Sequence, residues 1–217
     1  MIKITTLIQA GFEPAIRGMR NSWNSWDKSD SLIGQCEAYY EKRYNKATYE
    51  YGIGPNDLEL MKKLINAGGE HRKFMRMIIV WFDIDAPLYW WKQFDTYKVG
   101  VTVNSCSTMH TIHNKPFEVE DFSFENVRSL YANDSVSRLN KIRMDFMKTK
   151  DKGYWDAIIQ LLPESYNQKR TVCLNYEVLY NIYHQRRGHK LAEWHEFCKF
   201  IESLPYMEEF LKKEEEE

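Results

Sequence analysis

The chain has 217 residues, 43% of them apolar and 15% aromatic, with 30 Lys and Arg against 31 Asp and Glu. That length and apolar share suffice for one domain with a sizeable core, and a net charge of −1 excludes a generally basic nucleic-acid or membrane-surface protein. No apolar run reaches the roughly 18 residues of a spanning helix. Met1-Ile2-Lys3-Ile4-Thr5-Thr6 lacks the charged-then-apolar layout of a secretory signal, so a cytoplasmic protein with no membrane partner is expected.

In chain order, residues 1–9 alternate through Ile2, Ile4, Thr6 and Ile8 and read as a strand. The Gly-, Asn-, Ser- and Trp-rich stretch 10–30 reads as a loop or a short helix around Ala15–Arg20. Leu32–Asn45, with Tyr39, Tyr40 and Tyr44 among charges, reads as a helix broken by Tyr51-Gly52-Ile53-Gly54-Pro55. Asn56 or Asp57 then caps a helix whose Leu58, Met61, Leu64 and Ile65 share one face, and Gly68-Gly69 ends it. Lys73–Asp85 is the most strand-like stretch, and a centre apolar on both faces predicts a central position in its sheet. Ala86-Pro87 opens a helix that runs from Leu88 through Trp90 and Trp91 to Phe94.

Residues 99–122 read as a loop, and the remainder reads as helices over 124–132, 135–150, 154–162, 175–187 and 191–204, with a short helical tail from Pro205. Residues 212–217 are an acidic, solvated end. The whole predicts one α+β domain over 1–217, helix-rich, with a small mixed or antiparallel sheet.

Cys36, Cys106, Cys173 and Cys198 are too widely spread for a zinc ribbon and include no C-x-x-C pair, so reduced thiols are expected. His110 and His113 stand three residues apart with Cys106 one turn earlier, but no further ligand follows at a metal-type spacing, and no metal is expected. There is no G-x-G-x-x-G, no P-loop and no G-x-S-x-G elbow, which removes the main support for Rossmann dehydrogenase, P-loop NTPase and α/β-hydrolase readings. The aromatics are not interleaved with a basic stripe. Burial of Trp81, Tyr89, Trp90 and Trp91 in a core or subunit interface explains them better than base stacking, and a nucleic-acid partner is not expected.

Two blocks stand out. Residues 95–110 are rich in hydroxyls and amides and follow Lys92 and Gln93; with Lys98 they suit an anion such as a nucleotide phosphate, or equally a turn with local capping bonds. The second block is Leu162-Pro163, Asn175, Asn181, Arg186 and Ala192-Glu193-Trp194. At 100° per residue, Asn175 and Arg186 share a helix face with Asn181 to one side.

Together these blocks resemble the flavin-dependent thymidylate synthases, over residues 56–110 and 160–204, with 1–55 matched only loosely. In that family a Gln-bearing helix precedes R-H-R-x-x-S-x-N-E-x-S-x-R-Y, and L-P, two Asn, an Arg and A-Q-W come much later. Leu162-Pro163, Asn175, Asn181 and Arg186 keep the later spacing without a gap, and Ala192-Glu193-Trp194 stands close to A-Q-W. Upstream, the 58–69 helix, His71, Ala86-Pro87 and Gln93 follow in register. The signature itself departs. Thr96-Tyr97-Lys98 stands where Arg-His-Arg is usual, Asn104 and Ser107 are kept, Ser105 replaces Glu, Met109 replaces Arg and His110 replaces Tyr. Methionine cannot grip a phosphate as arginine does.

The resemblance implies a homotetramer in which FAD, reduced by NADPH, supports reductive methylation of dUMP to dTMP with methylenetetrahydrofolate. By carry-over Gln93, Ser107 and Arg186 contact dUMP, and Lys169 or Arg170 lies near an arginine that grips the nucleotide phosphate. His71, Lys98, Asn175 and Asn181 contact FAD, and Glu177 stands where the family often has a cationic residue. The alternatives are an enzyme acting on another pyrimidine nucleotide, or a non-catalytic nucleotide- or partner-binding protein on the same scaffold.

Overall fold

A computed structural model describes residues 2–33 and 51–212. The elements in chain order are β1 (Lys3–Ala10), α1 (Phe12–Arg20), β2 (Leu32–Ile33), β3 (Tyr51–Gly52), α2 (Pro55–Asn66), β4 (Ile79–Pro87), α3 (Leu88–Phe94), β5 (Val101–Ser105), α4 (Thr108–Thr111), α5 (Ser129–Thr149), α6 (Lys152–Leu161), β6 (Asn167–Asn175), α7 (Tyr176–Arg186), α8 (Ala192–Glu202) and α9 (Met207–Leu211). This is the expected α+β class, rich in helices. No helix among the described residues is long and apolar enough to cross a membrane.

The four-stranded sheet has the order β1-β4-β6-β5, so β4 is central as its two-sided apolar centre predicted. It is antiparallel. Thr171 Oγ1 donates to Asp83 Oδ1 at 2.6 Å and Tyr176 N donates to Ile78 O at 2.9 Å, so residue numbers rise along β4 as they fall along β6. Cys106 N on Lys169 O at 2.9 Å and Gly100 beside Asn175 set β5 against β6 in the same sense. Where β1 turns into α1, Gly11 sits at φ 105, and a Cβ there would lie 2.0 Å from Met77 O. Only glycine permits that approach.

Several expectations shift. The strand predicted from Lys73 begins at Ile79, because Arg72–Met77 form a 3-10 helix that buries Phe74 and Met75. A continuous apolar run does not by itself separate strand from helix. Gly54, rather than Asn56 or Asp57, is the N-cap of α2, with Pro55 in the first turn. The loop over 99–122 contains β5 and the short α4. The helices over 124–132 and 135–150 are one 21-residue helix, α5, since nothing between them breaks it. β6 falls where no strand was expected. Leu32 and Ile33 pair antiparallel with β3 instead of opening a helix; the rest of that expected helix, Cys36 and the end of the acidic tail lie outside the described residues. Cys106, Cys173 and Cys198 are free thiols.

The chain divides into two compact units: residues 1–4, 83–98 and 103–171, and residues 5–82, 99–102 and 172–217. The first holds α3 to α6, with a core of Ile112, Phe117, Phe122, Leu139 and Ile158. In it Trp90, Trp91 and Phe94 of α3 are fully buried, while Tyr89 is only half-buried. The second packs α1, α2, α7, α8 and α9 around Phe12, Met61, Phe82, Tyr176, Trp194, Phe197 and Phe210; Trp81 there is half-buried. The Tyr176 ring lies edge-on to Phe12 at 5.6 Å and to Phe210 at 6.3 Å, and its hydroxyl donates to Pro205 O at 3.1 Å.

Asp57 replaces the expected cap with a buried anchor in the second unit. Its carboxylate accepts from Arg20 Nε at 2.6 Å, from the Ser29 and Ser31 hydroxyls at 2.6 Å, and from the Asp30 and Ser31 amides at 3.2 Å. Burial pushes this carboxyl up, but the bonds from Ser29, Ser31 and Arg20 outweigh burial and hold it below its usual value. A depressed folded-state value stabilises the protein above the unfolded value, and that stability is lost as pH falls through the folded one. Asp57→Asn is therefore expected to cost about 3 kcal/mol at pH 7, because it leaves Arg20 buried without its counter-charge. Urea unfolding at pH 7 and pH 3 checks this: the gap from wild type narrows at the lower pH.

Candidate functional site

The eight candidate residues fall four to a unit: Gln93, Lys98, Ser107 and Lys169 in the first, and His71, Asn175, Asn181 and Arg186 in the second.

In the first unit, β6 turns successive side chains to opposite faces. Lys169 is exposed, with its Nζ 3.5 Å from Asp83 Oδ2. Arg170 points the other way and is committed. Its guanidinium lies 4.2 Å from the Trp91 ring centroid, its Nε donates to Gln168 Oε1 at 2.9 Å and its Nη1 to Asp95 Oδ1 at 2.8 Å. Trp91 is held in turn by its Nε1 bond to Gln168 O at 2.9 Å. Of the two cations, Lys169 is the one presented outward and Arg170 fastens β6 to α3.

Gln93 is half-buried near the end of α3, and its carbonyl accepts from Thr96 Oγ1 at 2.7 Å. The Tyr97 ring packs 6.3 Å from Phe94. Thr96 and Tyr97 thus serve the helix end, and Lys98 of the same triplet is exposed. Ser107 caps α4, its Oγ accepting from His110 N at 3.2 Å. Among the described residues no group of three or more His, Cys, Asp or Glu is arranged to hold a metal ion.

In the second unit the sequence missed the residue that organises the site. Arg72 donates from Nε to Glu177 Oε1 at 3.3 Å and from Nη2 to Asn181 Oδ1 at 3.0 Å, with its guanidinium 4.8 Å from the Tyr180 ring centroid. Arg76 also donates to Glu177, from Nε to Oε2, and from Nη2 to Oε1 at 3.3 Å. Burial pushes the Glu177 carboxyl up, but Arg76 and then Arg72 outweigh burial and hold it below the usual carboxylate range. Two cations on one carboxylate leave a net positive charge, and the Arg76 side chain is 53% exposed. Arg72 stood just before the stretch read as a strand and Arg76 within it, and without the 3-10 helix over Arg72–Met77 their meeting with α7 was hidden.

Asn175 ends β6 and caps α7, its Oδ1 accepting from Val178 N at 3.0 Å. It therefore precedes the helix instead of sharing its face with Arg186. Gly100, at φ 73, lies so close that a Cβ would come 2.9 Å from Asn175 Nδ2. His71 is exposed beside Arg72. Arg186 lies elsewhere on α7, its guanidinium 4.7 Å from the ring centroid of the buried Trp194. Nearby, His189 Nδ1 accepts from Leu191 N at 3.1 Å; burial, then the charges of Arg186, His195 and Lys190, hold His189 below its usual value.

No family model matches the chain, and no curated protein matches it. Among solved structures it is similar to thymidylate synthase X (ThyX) from Helicobacter pylori with FAD and dUMP, with a TM-score of 0.70 and 17% identity over 97% of both chains. A second structure, the flavin-dependent thymidylate synthase ThyX from Helicobacter pylori complexed with FAD and dUMP, gives a TM-score of 0.71 and 18% identity over 96% of this chain and 97% of that one. The chain thus has a ThyX-like fold.

The two adjacent cations of β6 are expected to separate on mutation. Arg170→Ala removes a stacked, hydrogen-bonded guanidinium and is expected to cost about 2 kcal/mol, whereas Lys169→Ala breaks an exposed pair and costs less than about 0.5 kcal/mol. Urea midpoints measure both, and an equal loss for Lys169→Ala contradicts its assignment as an outward, non-structural cation.

Proposed function

We propose that this chain is a flavin-dependent thymidylate synthase-like enzyme that binds FAD and converts dUMP to dTMP with methylenetetrahydrofolate and NADPH. What carries the reading, beyond the fold it shares with two FAD- and dUMP-bound structures, is the geometry of the second unit. There Asn181 is tied to Arg72, His71 is its neighbour, and Asn175 holds the start of the same helix.

The donor set suits the phosphates of a dinucleotide. Resemblance places a cation where Glu177 stands, and here the charges are exchanged: the carboxylate is on α7 and Arg72 and Arg76 come to it from the 3-10 helix. The local balance stays positive, as a pyrophosphate needs. Arg72 and Arg76 join His71, Lys98, Asn175 and Asn181 as the residues that hold the cofactor. When bound, FAD reduced by NADPH supplies the electron pair that turns a transferred methylene into the methyl group of dTMP.

The chain's own part is to bind and orient. Gln93, Ser107, Lys169 and Arg186 receive the nucleotide, with Lys169 as the outward cation for its phosphate and Arg186 steadied on Trp194. Sharing of the site among the subunits of a homotetramer belongs to the same reading.

One observation favours a second reading, nucleotide binding without methyl transfer. Thr96 and Tyr97, standing where cations are usual, are turned to the end of α3. Purified protein supplied with FAD, NADPH and methylenetetrahydrofolate is expected to release the C5 proton of dUMP and form dTMP. Saturable dUMP binding with no proton release selects the second reading, turnover of another pyrimidine nucleotide changes the substrate, and neither binding nor turnover ends the proposal.

A further inference from the structure

In the second unit, one face of α1 and the chain over 26–31 bound a cavity of about 150 Å³. Glu13, Ile16, Arg17 and Arg20 stand on that face at i, i+3, i+4 and i+7, the spacing of a single helical stripe. Trp26, Ser29 and Ser31 form the other wall. None of the eight candidate residues lines the cavity, and neither Arg72 nor Arg76 does.

Two of the charges in this cavity are held apart. Glu13 and Arg17, four residues apart on an exposed helix face, would ordinarily pair with each other. Among the described residues neither has a hydrogen-bond or ion-pair partner, and the Arg17 guanidinium lies instead 5.6 Å from the Trp26 ring centroid. Trp26 is itself fixed by its Nε1 bond to Asn21 Oδ1 at 2.8 Å. Arg20 is 5% exposed. Its Nε donates to Asp57 and its Nη1 to Ser25 O at 3.2 Å, while Nη2 has no acceptor among the described residues. The Ser29 and Ser31 hydroxyls donate to Asp57, and Ser31 Oγ also accepts from Gly54 N at 3.0 Å, so the Ser29 oxygen is left as an acceptor.

Asp57 neutralises Arg20, so the cavity is left with one unpaired carboxylate and one unpaired guanidinium, a balance of zero. An anion alone would be repelled by Glu13, and a cation alone by Arg17. We propose that the cavity binds a small zwitterion, an α-amino acid with a short apolar side chain. Its carboxylate accepts from Arg17 and from Arg20 Nη2, its ammonium donates to Glu13 and the Ser29 oxygen, and its side chain packs on Ile16. Guanidinium groups grip carboxylates through paired N–H donors, and the stack on Trp26 sets the plane of Arg17 in advance. A volume of this order takes a benzene-sized guest, which limits the ligand to about six to eight non-hydrogen atoms. The proposal uses neither the flavin nor the nucleotide assignment.

The test titrates the full chain with L-alanine and with its two half-ligands, propionate, which lacks the ammonium, and ethylamine, which lacks the carboxylate. Calorimetry or ligand-observed NMR reads the binding. L-Alanine is expected to bind saturably, and at least about tenfold more tightly than either half-ligand. Glu13→Gln and Arg17→Gln change exposed side chains, so both variants are expected to fold, and each is expected to weaken L-alanine at least about tenfold. The half-ligand comparison needs no variant at all. The proposal is overturned by absent L-alanine binding in wild type, by propionate or ethylamine binding as tightly as L-alanine, or by unchanged L-alanine affinity in either variant.

Discussion

The seat of β6 between β4 and β5 fixes the placement of Lys169, Arg170 and Asn175. One strand carries Lys169 outward, turns Arg170 onto Trp91 and ends in the asparagine that caps α7. Because side chains alternate with a period of two, a slip of one residue would bury Lys169 and expel Arg170. The slip is resisted by the Asp83–Thr171 bond, by the Arg170–Trp91 stack and by the approach of Gly100 to Asn175. Register is thus the constraint that sets Lys169 and Arg170 in the first unit and Asn175 in the second.

At Glu177 one carboxylate meets two arginines, and the cluster keeps a positive balance. A buried glutamate alone would repel a phosphate and carry a desolvation cost. Set against two arginines it becomes a positioning group: it fixes the guanidinium planes while Arg72 also holds Asn181 and lies over Tyr180. What reaches solvent is cationic, chiefly through Arg76. The alteration at Thr96 and Tyr97 is different in kind, because those side chains serve the end of α3 and leave Lys98 as the cation of that triplet.

The sequence showed the helices that carry their own punctuation. α2 has Pro55 at its start and glycines at its end, and was legible to within a residue or two. β6 was not. Val172 and Leu174 are its buried residues, while 167–171 are polar and at least partly exposed, so the apolar alternation that marks a strand is confined to its last third. The 3-10 helix over 72–77 was hidden for the opposite reason, since Phe74-Met75 and Ile78-Ile79-Val80 merge into one apolar run. That error concealed Arg72 and Arg76, whose role appears only when the 3-10 helix is seen against α7. Asn175, Asn181 and Arg186 were found by resemblance of spacing; the structure adds that the first is a cap and the third rests on Trp194.

The central claim is that the arginine-centred cluster on α7 holds a flavin. It is tested most directly by titrating FAD into the wild-type chain and into Asn181→Ala while following flavin fluorescence. The account predicts saturable wild-type binding in the micromolar range and a loss of about tenfold, roughly 1.4 kcal/mol, in the variant. Absence of saturable binding by the wild type, or equal affinity in a folded Asn181→Ala, would contradict it.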